Sequence, residues 1–375
     1  MRRVFFKAVA RGKQDCMSKI FVTKPYLPPQ EEFVQQVNQI YQTGQLTNQG
    51  PRLCELEEKL RAFLQVPHFQ YVTNGTIALQ LALEALDICG GEVITTPFSY
   101  VATTSSILWQ RCKPVFVDIE PRNFTLDAGK IAAAITPRTR AIMPVHVFGY
   151  ACDTEQIEAV AAQHGLKVIY DAAHAFASVY KGRALSGYGD IATLSFHATK
   201  LFHTVEGGAC IVRDEAVNAK LDLIKRFGHH GDTHYCLGIN GKQSEFHAAM
   251  GLAVFPHLAQ IMAARKQICE EYDRLLAHAV GRPAVQKDLQ YNYAYYPVVF
   301  RDEAQLLRVF AALNKAEIYP RRYFYPSLNT LPYLPEKTPC PVSQDICSRI
   351  ACLPLYPALA LEDVRRIAKI VLENL

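Results

Sequence analysis

The chain has 375 residues, 50% of them hydrophobic and 20% charged, with a formal net charge of +5. That composition excludes a disordered chain and leaves enough apolar side chain for a large core, with two domains as the expectation. Five basic residues (Arg2, Arg3, Lys7, Arg11, Lys13) stand against Asp15 alone in residues 1–16, so the rest carries only about +1 and gives no electrostatic case for nucleic acid.

Residues 1–16 read as an upstream extension, with Met17 opening the domain. No window offers the long uncharged apolar run of a membrane span, so no membrane partner is expected. Eleven cysteines, an odd number without a C-x-x-C pair, lie in apolar segments such as Ala209-Cys210-Ile211-Val212. They read as free thiols of a reducing compartment, hence a cytoplasmic protein.

Leu53, Leu56, Leu60 and Leu64 recur at helical spacing and predict a helix over 51–64. A strand over 70–74 and a helix over 76–86 follow. Further strands are expected over 92–97, 114–119, 140–146, 167–171, 191–196 and 209–213. Helices are expected over 101–109, 153–164 (capped by Asp153 or Thr154) and 215–227. After Pro256 the pattern becomes a long amphipathic helix to about 279. A strand over 293–300, a helix over 303–316, a Pro-rich stretch over 326–341 and a last helix over 361–372 follow. Strands alternating with helices, several of them continuous apolar runs, predict an α/β domain with a mostly parallel sheet covered on both faces. The expected division is a large domain over 17–258, whose first segment can pack on the small domain, and a small C-terminal α+β domain over 259–375.

Ligands of open α/β sheets sit beyond the carboxyl ends of the strands. Asp171 ends one strand, and His197-Ala198-Thr199-Lys200 follows the next. Asn74-Gly75-Thr76 ends a third strand and opens a helix, whose N–H groups and positive dipole end suit a phosphate. An acid, a lysine and a phosphate cradle make a pyridoxal 5′-phosphate (PLP) site: lysine for covalent attachment, acid opposite the pyridine nitrogen, Tyr100 on the ring face. Taken singly, each feature is weak: Lys200 reads first as a solvated surface residue, Asp171 as an ordinary helix cap and Gly75-Thr76 as a plain turn, and it is their joint placement that points to the site.

Asp171-Ala172-Ala173-His174-Ala175, Ser195-Phe196-His197-Ala198-Thr199-Lys200 and Glu206-Gly207-Gly208-Ala209 resemble the DegT/StrS family of sugar aminotransferases. So do Leu46-Thr47-Asn48-Gln49-Gly50-Pro51, Pro97-Phe98-Ser99-Tyr100-Val101-Ala102-Thr103 and Pro144-Val145-His146-Val147-Phe148-Gly149. The resemblance runs from Lys24 to the C-terminus. It implies a type I PLP-dependent aminotransferase fold and a homodimer with shared active sites. It also implies Lys200 as the Schiff-base lysine and Asp171 at the pyridine nitrogen. His174 then replaces a commoner glutamine at the ring hydroxyl. Gly75, Thr76 and Ser195 would hold the phosphate, Tyr100 would stack, and Asn240 would reach the neighbouring subunit's phosphate. Gly241-Lys242 departs from the family's usual aromatic-Arg after that asparagine.

Phe21-Val22-Thr23-Lys24-Pro25 and Ile318 to Leu328 resemble the subgroup that aminates C4 of a dTDP-4-keto-6-deoxyhexose with L-glutamate as donor. Its product is dTDP-4-amino-4,6-dideoxyglucose, used in bacterial surface polysaccharide. Arg321 or Arg322 would pair with the diphosphate, or stand as surface charges, and Tyr323 would line the sugar pocket. Amination at C3 and a non-catalytic PLP-binding regulator remain as alternatives. A dinucleotide-dependent oxidoreductase would need G-x-G-x-x-G opening its first helix, and the chain does not supply that after a strand. His229 to Cys236 brings three imidazoles and a thiol together, but reads as a polar loop near the dimer interface, so no metal is expected.

Overall fold

The computed structural model describes residues 19–334 and 336–375. The expected extension over 1–16 and the start at Met17 lie outside the described residues. β1 (Ile20–Phe21), α1 (Gln30–Thr43) and α2 (Pro51–Leu64) lead into a seven-stranded sheet. Its first five strands are β2 (His68–Val72), β3 (Glu92–Thr95), β4 (Lys113–Phe116), β5 (Thr139–Met143) and β6 (Lys167–Asp171). A hairpin of β7 (Val179–Tyr180) and β8 (Arg183–Ala184) precedes the last two, β9 (Ile191–Ser195) and β10 (Gly208–Val212). The spatial order is β2-β10-β9-β6-β5-β3-β4. All pairings are parallel except those of β10, which runs against both neighbours.

The period-2 alternation of side chains sorts each strand between two cores. Phe69, Tyr71, Ile142, Val168, Tyr170, Ala192 and Leu194 face α2 and α6 (Thr154–His164). Val72, Val93, Ala141, Met143, Ile169, Ile191 and Cys210 face α3 (Gly75–Ala85), α4 (Val101–Trp109) and α7 (Glu215–Ile224). A short α5 (Ile131–Ala134) lies before β5. Asp153 caps α6 by accepting from the Gln156 N–H at 3.1 Å.

A hairpin of β11 (His229–His230) and β12 (Thr233–His234) precedes α8 (Glu245–Val254) and α9 (Leu258–Leu276). Together α8 and α9 form one helical stretch, long and apolar enough by length and composition to cross a membrane. This corrects the expectation that no such run exists. Its apolar residues are core: α8 is buried from Ala248 through Val254, and the buried Glu245 carboxylate accepts from the Arg52 and Leu53 N–H groups that open α2.

Beyond β13 (Leu289–Gln290), β14 (Tyr296–Val299) pairs antiparallel with β16 (Ile350–Leu353). They pack with α9, α10 (Glu303–Lys315) and α12 (Leu361–Glu373) around a separate core that includes Ile268, Leu306, Val309 and Ile367. β1 pairs parallel with β15 (Ile318–Tyr319), which places Ile20 in this second core. α11 (Pro341–Arg349), with Pro at its first position, follows the Pro-rich stretch.

Candidate active site

Because β2, β3, β6 and β9 point the same way, the segments that leave them meet at one edge of the sheet. A cavity of about 650 Å³ lies there. Of the residues singled out from the sequence, Gly75, Thr76, Tyr100, Asp171, His174, Ser195, Lys200, Arg321 and Tyr323 line it. Asn240 does not: it is exposed and bridges to Arg226. Arg322 does not either, which corrects its candidacy for substrate. Its guanidinium pairs with Glu303 at 2.8 Å, donates to the Ser348 carbonyl at 2.7 Å and stacks on the Tyr325 ring. Consecutive residues of an extended segment project to opposite sides, so when Arg321 faces the cavity its neighbour faces the protein.

Lys200 Nζ donates to Tyr295 Oη at 3.3 Å. Burial lowers the amine to about 8, against the opposing pull of the Asp171 carboxylate and Tyr100. Asp171, at the end of β6, is itself buried. Thr103 Oγ1 donates to its Oδ2 at 2.7 Å and the Ala173 N–H to its Oδ1 at 3.1 Å. Burial raises its pKa, and these donors together with Lys200 oppose the rise. Buried His174 is driven well below the ordinary imidazole range, chiefly by desolvation and then by Lys200. Its Nδ1 accepts from the Phe148 N–H at 3.1 Å, so the neutral ring carries its proton on Nε2 and is a donor there.

The N-terminus of α3 forms another part of the lining, with Asn74, Gly75, Thr76 and Ser195. Asn74 caps α3 by accepting from the Ile77 N–H at 2.9 Å. No hydrogen bond within the described residues uses the Gly75 or Thr76 N–H, so two donors at a helix N-terminus stay open. A Cβ on Gly75 would come within 3.0 Å of the Ser195 side chain. One on Gly208 would strike the Asn74 carbonyl group and lie 2.7 Å from the Gly75 nitrogen. Both glycines therefore permit the close approach of β9, β10 and α3.

Sequence reasoning missed four residues here. Thr103 lay inside a quoted motif, one helical turn beyond Ser99, whose hydroxyl it meets at 2.8 Å. His197 and Glu206, also inside quoted motifs, form a 3.6 Å pair at the cavity wall. Tyr295 carried no signal, being one of several tyrosines between 291 and 296. The loop after α7 is a solvent-facing hairpin, and among the described residues no group of three metal-binding side chains converges there or elsewhere.

PLP fits this arrangement. A buried carboxylate without a salt-bridge partner among the described residues suits a protonated ring nitrogen, the cradle suits the phosphate, and a low-pKa lysine lines the same cavity. When bound, PLP supplies the electron-accepting ring that amino-group transfer requires.

Residues 29–372 match the DegT/DnrJ/EryC1/StrS aminotransferase family. A dTDP-4-amino-4,6-dideoxy-D-glucose transaminase of Shigella dysenteriae is 41% identical over 362 residues, covering 94% of this chain and 98% of the relative. One from Escherichia coli is 40% identical over 364 residues, covering 94% and 97%. A solved structure of DesI with its TDP-sugar product superposes with a TM-score of 0.88 at 31% identity, covering 94% of this chain and 92% of that one. The fold is that of the type I aminotransferases, and the chain belongs to the DegT/DnrJ/EryC1/StrS aminotransferase family of PLP-dependent enzymes.

Proposed function

We propose that the enzyme transfers the amino group of L-glutamate to C4 of dTDP-4-keto-6-deoxy-D-glucose, giving dTDP-4-amino-4,6-dideoxy-D-glucose for surface polysaccharide of the O-antigen type. The observation that carries the chemistry is the convergence of Lys200, Asp171 and the open N–H groups of α3 on one cavity. The names of the two transaminase relatives support the choice of sugar.

Each residue has a proposed task. Asp171 holds the ring nitrogen's proton, and neutral His174 donates from Nε2 to the ring hydroxyl. Gly75, Thr76 and Ser195 hold the phosphate, and Tyr100 covers the ring. Lys200, once free, moves a proton at the reacting carbon. A value near 8 leaves about a tenth of the amine neutral at pH 7, and such a base contributes about 10²–10⁴-fold. Arg321 lies over the Tyr323 ring at 5.6 Å and has no carboxylate partner among the described residues, which leaves it for a diphosphate. Amino donor and keto sugar use the same cavity in turn, so kinetics are ping-pong.

A homodimer with shared sites is part of this reading. It is supported by the exposed Tyr235, Leu237 and Ile239, which lie beside Asn240 and outside the cavity. A cytoplasmic location is supported by the ten described cysteines, all unpaired.

The test is a panel of nucleotide-linked 4-keto and 3-keto sugars, incubated with enzyme, PLP and L-glutamate and read by mass spectrometry. The expected outcome is one amino sugar from the dTDP-linked 4-keto substrate, with an equal amount of 2-oxoglutarate. Preference for a 3-keto sugar would contradict the regiochemistry, and no turnover on any would contradict the reading.

A further inference from the structure

Lys200 comes from the large sheet, but its hydrogen-bond partner does not. Tyr295 belongs to the segment between β13 and β14, immediately before the small antiparallel pair. Three devices hold it. Buried Asn292 donates to the His174 and Phe176 carbonyls at 2.8 Å each and accepts from the Ala294 N–H at 3.1 Å. Buried Arg265 donates to the Ala294 carbonyl at 3.1 Å. Tyr291 Oη donates to the Tyr295 carbonyl at 2.9 Å. The Tyr295 ring rests on His174 at 4.7 Å between centroids. Its backbone is thus tied to the loop that carries His174. Among the described residues its hydroxyl has Lys200 as its hydrogen-bond partner. A buried phenol with a single partner, aimed at the one lysine of the cavity, is a specific arrangement.

We propose that Tyr295 is a positioning residue for Lys200, holding the ε-amine in place during the part of the cycle when that amine is free. The inference rests on the reading of Lys200 as the cofactor lysine. A free amine takes a proton on its lone pair, becomes an ammonium that donates to Tyr295 Oη, and later returns that proton. The phenol neither gains nor loses one. Without the anchor a four-carbon side chain samples several rotamers, and the geometry for proton transfer is lost most of the time.

The groups set against Lys200 are Asp171 from β6, His174 from the following loop, Tyr100 from the start of α4, and Tyr295, and His197, Glu206, Arg321 and Tyr323 line the same cavity. A phenol oxygen binds an ammonium more strongly than a neutral amine. Tyr295→Phe should therefore lower the midpoint of the Lys200 amine, by about one pH unit for a charge-assisted bond.

The experiment is trace acetylation of the full-length, PLP-loaded protein across a pH series, before and after L-glutamate, with the Lys200 peptide quantified by mass spectrometry. Wild type should show Lys200 blocked before glutamate and reactive after it. Tyr295→Phe should keep that response, shift the midpoint down by about one unit and slow the glutamate half-reaction about tenfold or more. Replacement of Tyr295 by 3-fluorotyrosine, which keeps the ring and weakens the oxygen as acceptor, should shift the midpoint the same way by less. A Lys200 that responds to glutamate but keeps its midpoint in both variants overturns the inference and leaves the cofactor reading standing. A Lys200 that reacts alike before and after glutamate in the wild type overturns both.

Discussion

Replacing Lys200 with methionine should abolish activity and stabilise the cofactor-free protein. The magnitude follows from burial of the amine. Its folded-state value is about 8, against about 10.4 for an ordinary lysine. Below pH 8 the folded state therefore holds a charge that the unfolded chain solvates better, at a cost of about 3 kcal/mol. The sign is that of a depressed amine: the unfolded chain binds more protons between about 8 and 10.4, so this penalty fades as pH rises through that window. Methionine matches the stem without the charge and forfeits the Tyr295 hydrogen bond, worth about 1 kcal/mol. The expected net gain is about 2 kcal/mol at pH 7, falling to about zero at pH 10. Urea unfolding of both proteins, stripped of PLP, at the two pH values measures it. A variant no more stable than wild type at pH 7, or a gain independent of pH, would refute the argument that Lys200 is held against its preferred charge state.

Asp171→Asn removes the charge proposed to face the ring nitrogen. A charge-assisted hydrogen bond of about 1.5–3 kcal/mol translates into PLP affinity weakened by about tenfold to a hundredfold, measured by absorbance titration. Gly208→Ala would push a methyl onto the Asn74 carbonyl group and spread the cradle. Thermal melts should show a destabilised protein that inorganic phosphate or PLP no longer protects, and undiminished protection would contradict the cradle. Arg321→Ala should raise KM for the sugar nucleotide and leave the glutamate half-reaction unchanged. Arg322→Ala should do neither, but should lose about 1–3 kcal/mol in urea unfolding, because it breaks the part-buried Glu303 pair and two carbonyl contacts.

Much of the large sheet was legible because its strands are apolar runs between turn residues, and its helices carry clear stripes. The errors have local causes. The strand expected to reach Asn74 stops at Val72, because Asn74 turns to cap α3. The helix expected to reach Phe227 stops at Ile224, because Phe227 and Gly228 both take positive φ. The strand expected from Tyr293 starts at Tyr296, because Tyr293 also takes positive φ. α1, α8, α11 and β16 were not foreseen. α8 is apolar on nearly every side, so it shows no amphipathic period, and α11 hides behind its opening proline. In the site, Lys200, Asp171 and the α3 terminus could be placed because strand ends locate them. Tyr295 could not, since its direction depends on Asn292 and Arg265, which lie far from any motif.

The central claim is that Lys200 carries the cofactor, and chemical trapping tests it most directly. The protein loaded with PLP is reduced with borohydride, which fixes any C=N bond between the cofactor and a lysine, then digested and mapped by mass spectrometry. The expected result is one phosphopyridoxyl group, on the peptide containing Lys200, and none after pretreatment with L-glutamate. Label on another lysine, such as buried Lys225 between Glu57 and Asp222, or no label at all, would contradict the account.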